Sequence, residues 1–173
     1  MVYSCINLMP VSSVKGKSVI KEWFSRQNDI KTIVDLGPGS GTYPKLLGEN
    51  RYVWKAVEIW GPYIELFNLD KLYQEIRIGD IQYMELPDGD CAIIGDVLEH
   101  IEKEGAIRTF HKIDRQFKHV VFSIPTNSDS KYVHEGNNFE KHVSVWTLEE
   151  LEKLVPDTYK IREYVSPLAI FIK

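Results

Sequence analysis

Ile33-Val34-Asp35-Leu36-Gly37-Pro38-Gly39-Ser40-Gly41 is an apolar run that carries an acid and ends in three glycines at alternate positions. This is the pattern of a buried strand delivering a loop to a ligand. Glycine reaches positive φ and lets a ligand approach the backbone where a Cβ would stand in the way. A helix is expected from Thr42, and its first turn would aim unpaired N–H groups at the same space. The stretch therefore predicts an α/β fold with a small polar ligand at the end of an early strand.

The loop also bears on which ligand. A dinucleotide fingerprint reads G-x-G-x-x-G, and Thr42 stands where its third glycine belongs. Asp35, two residues before Gly37, would repel a pyrophosphate and attract an ammonium or sulfonium. A nicotinamide oxidoreductase would share the loop but give Asp35 no use. Val53 to Ile59 reads as the next strand, with Glu58 placed 21 residues after Gly37. An acid at that distance grips ribose hydroxyls in doubly wound nucleotide sites, and its carboxylate can accept from both. Glu75 to Asp80 is a third strand. The turn Leu86-Pro87-Asp88-Gly89 then precedes the apolar run Cys91 to Ile94, closed by Asp96-Val97-Leu98-Glu99-His100-Ile101. Any one of these acids could simply cap a following helix. Four strands in a row ending in an acid argue instead for one ligand-binding edge of a parallel sheet.

In order and spacing, Asp35 with its glycines, Glu58, Asp80, the Leu-Pro-Asp-Gly turn and the Asp-Val-Leu-Glu-His segment resemble the motifs of the class I S-adenosylmethionine-dependent methyltransferases. The likeness runs from about residue 30 to the C-terminus. It implies a doubly wound, mostly parallel sheet of Rossmann-like form, closed by a C-terminal antiparallel hairpin, and S-adenosylmethionine as cofactor. It also implies that Asp35, Gly37 and Gly39 cradle the methionine end of the cofactor, with Gly41 a further cofactor-binding residue of the same loop. Glu58 would hold the ribose and Asp80 the adenine amino group, with Ile81 adding a backbone donor. Ile59 and Trp60 would pack on the adenine face.

A chain of 173 residues is near the length of one domain and should bury roughly 70% of its unfolded surface. Residues 1–173 are read as one domain, with an N-terminal helical segment over 1–30. The formal net charge of −4 disfavours a polyphosphate partner without removing nucleic acid from consideration. Cys5 and Cys91 make no disulfide framework, there is no basic leader with a cleavage site, and no apolar span reaches membrane length. A cytoplasmic protein acting on a small-molecule methyl acceptor, away from membranes, is expected; composition carries no signal of oligomeric state.

Helical patterns cover Ser18 to Asn28, Thr42 to Glu49, Pro62 to Tyr73, Lys103 to Arg115 and Thr147 to Leu154, the last opened by a capping box of Thr147 and Glu150. They alternate with the strands above and with His119 to Ile124, which predicts a parallel sheet. Tyr159 to Val165 and Leu168 to Ile172 are joined too closely for a helical crossover and should pair antiparallel. Thr126 to Val145 breaks this rhythm. A polar connection of that length suggests a substrate loop, with Tyr132, Phe139 and Trp146 as its anchors and His134 and His142 among its polar groups.

For chemistry, methyl transfer by direct displacement asks mainly for positioning of the nucleophile, here an oxygen or nitrogen. His100 is the leading general base, because imidazole titrates near neutral pH. Asp96 is placed in both the catalytic and the cofactor-binding sets. A sharper variant is that Asp96, Glu99, His100 and His142, followed by Trp146-Thr147, are similar to the metal site of small-RNA ribose 2′-O-methyltransferases. Asp96 is shorter than the Glu expected there, and the Leu-Glu-His segment is common in metal-independent relatives, so metal-free base catalysis is the expectation. A noncatalytic cofactor-binding or interaction domain is the remaining alternative, since fold does not dictate function.

Overall fold

The computed structural model describes residues 15–131 and 136–173. Cys5, Tyr132 and His134 lie outside the described residues. Five parallel strands, β1 (Thr32–Leu36), β2 (Val53–Glu58), β3 (Glu75–Ile78), β4 (Cys91–Gly95) and β5 (His119–Pro125), join β6 (Ile161–Val165) and β7 (Leu168–Ile172) in one sheet. Its order is β3-β2-β1-β4-β5-β7-β6, with β7 antiparallel to both neighbours. Strand order reverses between β1 and β4, and ligands bind at such switch points in open α/β sheets. The expected doubly wound sheet and C-terminal hairpin are both present.

Two apolar layers hold the sheet between helices. Strand alternation sends Ile33, Cys91 and Ile93 to one face, where α1 (Lys17–Ser25), α2 (Thr42–Leu47) and α3 (Pro62–Leu66) pack with Ile20, Phe24, Tyr43 and Tyr63. Val34, Leu36, Ala92 and Ile94 face the other way, toward Phe110 of α4 (Lys103–Gln116) and Leu151 of α5 (Leu148–Leu154). Both faces being covered explains why β4 and β7 are apolar throughout rather than alternating.

The helix expected over Pro62 to Tyr73 is broken. Asn68 takes φ 51°, ending one helical segment before the short 3-10 turn Leu69–Lys71 begins. Asn tolerates the left-handed region better than most residues, so its presence mid-pattern signals the break. The third strand stops at Ile78, leaving Asp80 in the following turn. The capping box of Thr147 and Glu150 forms as expected. Among the described residues no helix is long and apolar enough to cross a membrane.

Candidate functional site

A cavity of about 1090 Å³ opens along the carboxyl edge of the sheet. Gly37 and Gly39 enter it from the end of β1 with φ of 86° and 51°. A Cβ on Gly37 would come within 2.6 Å of Val97, whereas one on Gly39 would meet nothing within 4 Å. Gly37 is thus demanded by packing, and Gly39 leaves an open cradle. Gly41 serves differently: it does not line the cavity, and a Cβ there would meet Leu72 at 2.5 Å.

Glu58 ends β2 at the cavity wall, only 4% exposed, and accepts the Trp60 N–H at 2.7 Å. Burial pushes its carboxyl up to about 7, against the Trp60 and Gly39 N–H groups that favour the ionised form. A buried acid in this state is suited to hydroxyl donors from a ligand. Ile59, Asp80 and Ile81 line the same wall. Both Asp80 oxygens are engaged by Gln82, through its backbone N–H at 2.8 Å and its side-chain amide at 3.0 Å, so Asp80 orders the turn it starts.

Asp35 does not line the cavity. Strand parity puts it on the Ile33 face, fully buried beneath α1 and α2, where Oδ2 accepts from the Tyr73 hydroxyl at 2.6 Å. Its Oδ1 has no partner, and burial raises its carboxyl to about 7, opposed by Tyr73 and the Lys17 charge. The loop acid is therefore a buried network member, not a wall of the site. The alternation of side chains along β1 would have revealed this from sequence.

At the other end of the cavity, β4 ends in Gly95, and Asp96 takes φ 57° while its N–H reaches Ser123 of β5 at 3.0 Å. A left-handed non-glycine at this point lets the chain turn sharply into the 3-10 turn Leu98–His100. Glu99 is carried inward to 1% exposure. Its backbone carbonyl then accepts from Val143 at 2.9 Å and Ser144 at 3.0 Å, tying the long Thr126–Val145 segment back across the sheet edge. That segment is a strap. Trp146 anchors one end in the core, and at the far side Glu140 accepts from Tyr63 of α3 at 2.9 Å while Phe139 packs against Trp60.

The strap brings His142 to His100, with ring centroids 5.0 Å apart. One ligand atom each from Glu99, His100 and His142 lies within 4.8 Å of the other two. His100 Nδ1 sits 3.1 Å from the Lys141 carbonyl and His142 Nδ1 3.2 Å from the Ser128 carbonyl. A carbonyl only accepts, so each Nδ1 is the donor in its contact, and Nε2 is the ring atom left to ligate when the imidazole is neutral. Metal-ligating histidines are oriented by this arrangement. Glu99 Oε2 is buried without a partner. Burial first, then the charge of Asp96, pushes the Glu99 carboxyl well above its usual range, and burial lowers the His100 imidazole. Asp96, the fourth member of the sequence pattern, lines the cavity but stays outside this group. Lys17, Tyr43, Tyr63 and Glu140 belong to the site's surroundings and were not marked by sequence reasoning. Only Lys17 carried a signal, as a lysine on the i, i+3, i+7 apolar stripe with Ile20 and Phe24.

No family model matches the chain, and no curated protein matches it. Solved structures do. An O-methyltransferase family protein from Burkholderia thailandensis aligns over 90% of this chain and 55% of its own at TM-score 0.62 and 12% identity. The chain thus spans about half of that protein. Magnesium protoporphyrin IX methyltransferase from Synechocystis PCC 6803, with bound S-adenosylhomocysteine, aligns over 90% and 80% at TM-score 0.69 and 11% identity. A TehB-like methyltransferase from Corynebacterium glutamicum gives 92% and 87%, TM-score 0.63 and 12% identity. At these identities the likeness is one of architecture, and the chain has the Rossmann-like fold of the S-adenosylmethionine-dependent methyltransferases.

Proposed function

We propose that the chain is an S-adenosylmethionine-dependent O-methyltransferase in which Glu99, His100 and His142 hold a divalent cation beside the acceptor. The observation that carries the metal reading is the preset donor set: two imidazoles with Nδ1 fixed on carbonyls, and a buried glutamate with an unpartnered oxygen. Two histidines and one carboxylate leave coordination positions open for a substrate oxygen. A bound cation supplies Lewis acidity toward a coordinated hydroxyl. This gives His100 the role of ligand and reverses the weight that the sequence placed on metal-free base catalysis.

The cofactor reading rests on the open cradle at Gly39 and the buried Glu58. Gly39 admits the cofactor backbone-close beside Gly37, Glu58 accepts from its ribose, and Ile59, Asp80 and Ile81 form the adenine wall. Asp96 stands between these groups and the donor set. S-adenosylmethionine supplies an electrophilic methyl group. The protein's own work is to hold the acceptor oxygen in line with it and to keep the strap over the reacting space. A hydroxyl flanked by a second oxygen, as in a ribose cis-diol, suits such a site, whether on a small molecule or a chain terminus.

The test is transfer of labelled methyl from S-adenosylmethionine to ribonucleosides and short oligoribonucleotides with free 2′,3′-diols, with and without chelator. Activity lost to chelator, restored by manganese or magnesium and absent with 2′-deoxy acceptors is expected. A second reading keeps His100 as base, supported by the burial that favours its neutral form. It predicts chelator-insensitive transfer that is lost in His100→Ala but kept in His142→Ala.

A further inference from the structure

Residues 79–90 cross from β3 to β4 without a helix, so their backbone carbonyls find no partners in a helical ladder. The opening turn is held from within at Asp80, whose carbonyl accepts from the Tyr83 N–H at 3.1 Å and the Met84 N–H at 3.2 Å. The rest of the hold comes from α4. Lys112, half-buried on that helix, donates from Nζ to the Ile81 carbonyl at 3.0 Å and to the Met84 carbonyl. One helical turn further on, the Gln116 amide reaches the Leu86 and Pro87 carbonyls at 3.4 and 3.3 Å. An ammonium is a donor only, and its bonds to carbonyls are charge-assisted, so the Lys112 side chain pins both ends of Ile81–Met84.

The turn held in this way is one wall of the cavity, lined by Asp80, Ile81, Gln82 and Tyr83. Ile81 is 7% exposed, and its N–H has no acceptor among the described residues. A buried N–H in that state is satisfied by an acceptor on a ligand. Next to it, Gln82 occupies one position on each Asp80 oxygen, and a carboxylate offers about four, so Asp80 still accepts. A carboxylate beside an N–H matches the 6-amino group and N1 of adenine. Hypoxanthine presents the reverse, an oxygen and an N1–H, and would set acceptor against acceptor and donor against donor. The match holds only while the turn keeps Asp80 and Ile81 in place.

We propose that Lys112 is a positioning residue for base selection: through the Ile81 and Met84 carbonyls it holds Asp80 and the Ile81 N–H in the arrangement that tells adenine from hypoxanthine. The proposal rests on the S-adenosylmethionine reading. It is tested by calorimetric titration of the full chain with S-adenosylhomocysteine and with S-inosylhomocysteine, which differs only in carrying hypoxanthine. The unaltered chain should prefer the adenosyl ligand by about 10-fold or more, as a site built to hydrogen-bond one pattern rejects the mismatched one. Lys112→Met should weaken S-adenosylhomocysteine by about 10-fold and S-inosylhomocysteine by less than about 2-fold, so that the preference collapses. Lys112→Gln, which removes the charge but keeps a polar tip, should show the same collapse and serves if Lys112→Met fails to fold. Equal losses for both ligands, or none for either, would overturn the assignment, because a contact that only supports the fold does not distinguish the two bases. Equal binding of both ligands by the unaltered chain would also overturn it, by removing base selection from this turn. Failure of the unaltered chain to bind either ligand would instead remove the cofactor reading, and this inference with it.

Discussion

The two ends of the cavity are built by opposite means. The glycine-loop end, Gly37 with Gly39 and Glu58, comes from the tips of adjacent strands β1 and β2, each followed at once by its own helix. The far end, Glu99, His100 and His142, exists only because a strap returns from β5 and hydrogen-bonds its backbone to Glu99. The first end is encoded by local strand-loop-helix units that would form in any doubly wound sheet. The second depends on non-local contacts and is where this chain's particular chemistry is concentrated. Cofactor affinity and cation affinity should therefore be separable by mutation.

Glu99→Gln should break the cation end most severely. It keeps the shape of a side chain that burial already drives toward its neutral form, so the fold should persist. Loss of a carboxylate ligand should cost about 100-fold or more in divalent-ion affinity, the upper end of what even supporting residues contribute at metal sites. S-adenosylhomocysteine binding should be unchanged. Parallel titrations of ion and cofactor analogue check both halves.

Glu58→Ala is the reciprocal change. Removing the ribose acceptor should weaken S-adenosylhomocysteine by about 1 to 3 kcal/mol, the range for hydrogen-bonding groups left unmatched. Ion affinity should stay as it is. A variant that lost both would mean that the two ends are one cooperative unit.

The smallest effect concerns Asp35, buried behind the loop. Its carboxyl is raised to about 7 in the folded chain, so the folded state holds its proton where the unfolded state has released it. The stability this contributes is complete below the ordinary carboxylate range and disappears as pH rises through about 7, with a slope of about 1.4 kcal/mol per pH unit at most. Asp35→Asn removes that term. Melting temperatures measured from pH 4 to 8 without ligand should show the native chain losing ground to the variant as pH rises. Parallel curves would mean that Asp35 is ionised in the folded protein.

The same contrast explains what the sequence made legible. The glycine loop after β1, Glu58 at the end of β2, the alternation of strands and helices and the final hairpin follow from periodicity and turn chemistry within short windows, and they stand in the structure as read. Asp35 was misplaced because its nearness to the loop in sequence outweighed the alternation that turns it to the Ile33 face. His142 could be named as a partner for His100, but the backbone bonds that bring the strap to Glu99 have no periodic signature. The contact of Tyr63 with Glu140 spans 77 positions with nothing local to announce it. Lys17 was hidden in plain view, since a lysine on an apolar stripe is usually taken to reach past it into water.

The central claim, that the strap completes a cation site, is tested most directly by titrating manganese into the protein and following its electron paramagnetic resonance signal. The account predicts one ion bound per chain, with binding lost in His100→Ala and in His142→Ala and kept in Glu58→Ala. No bound manganese, or binding indifferent to both histidines, would contradict it.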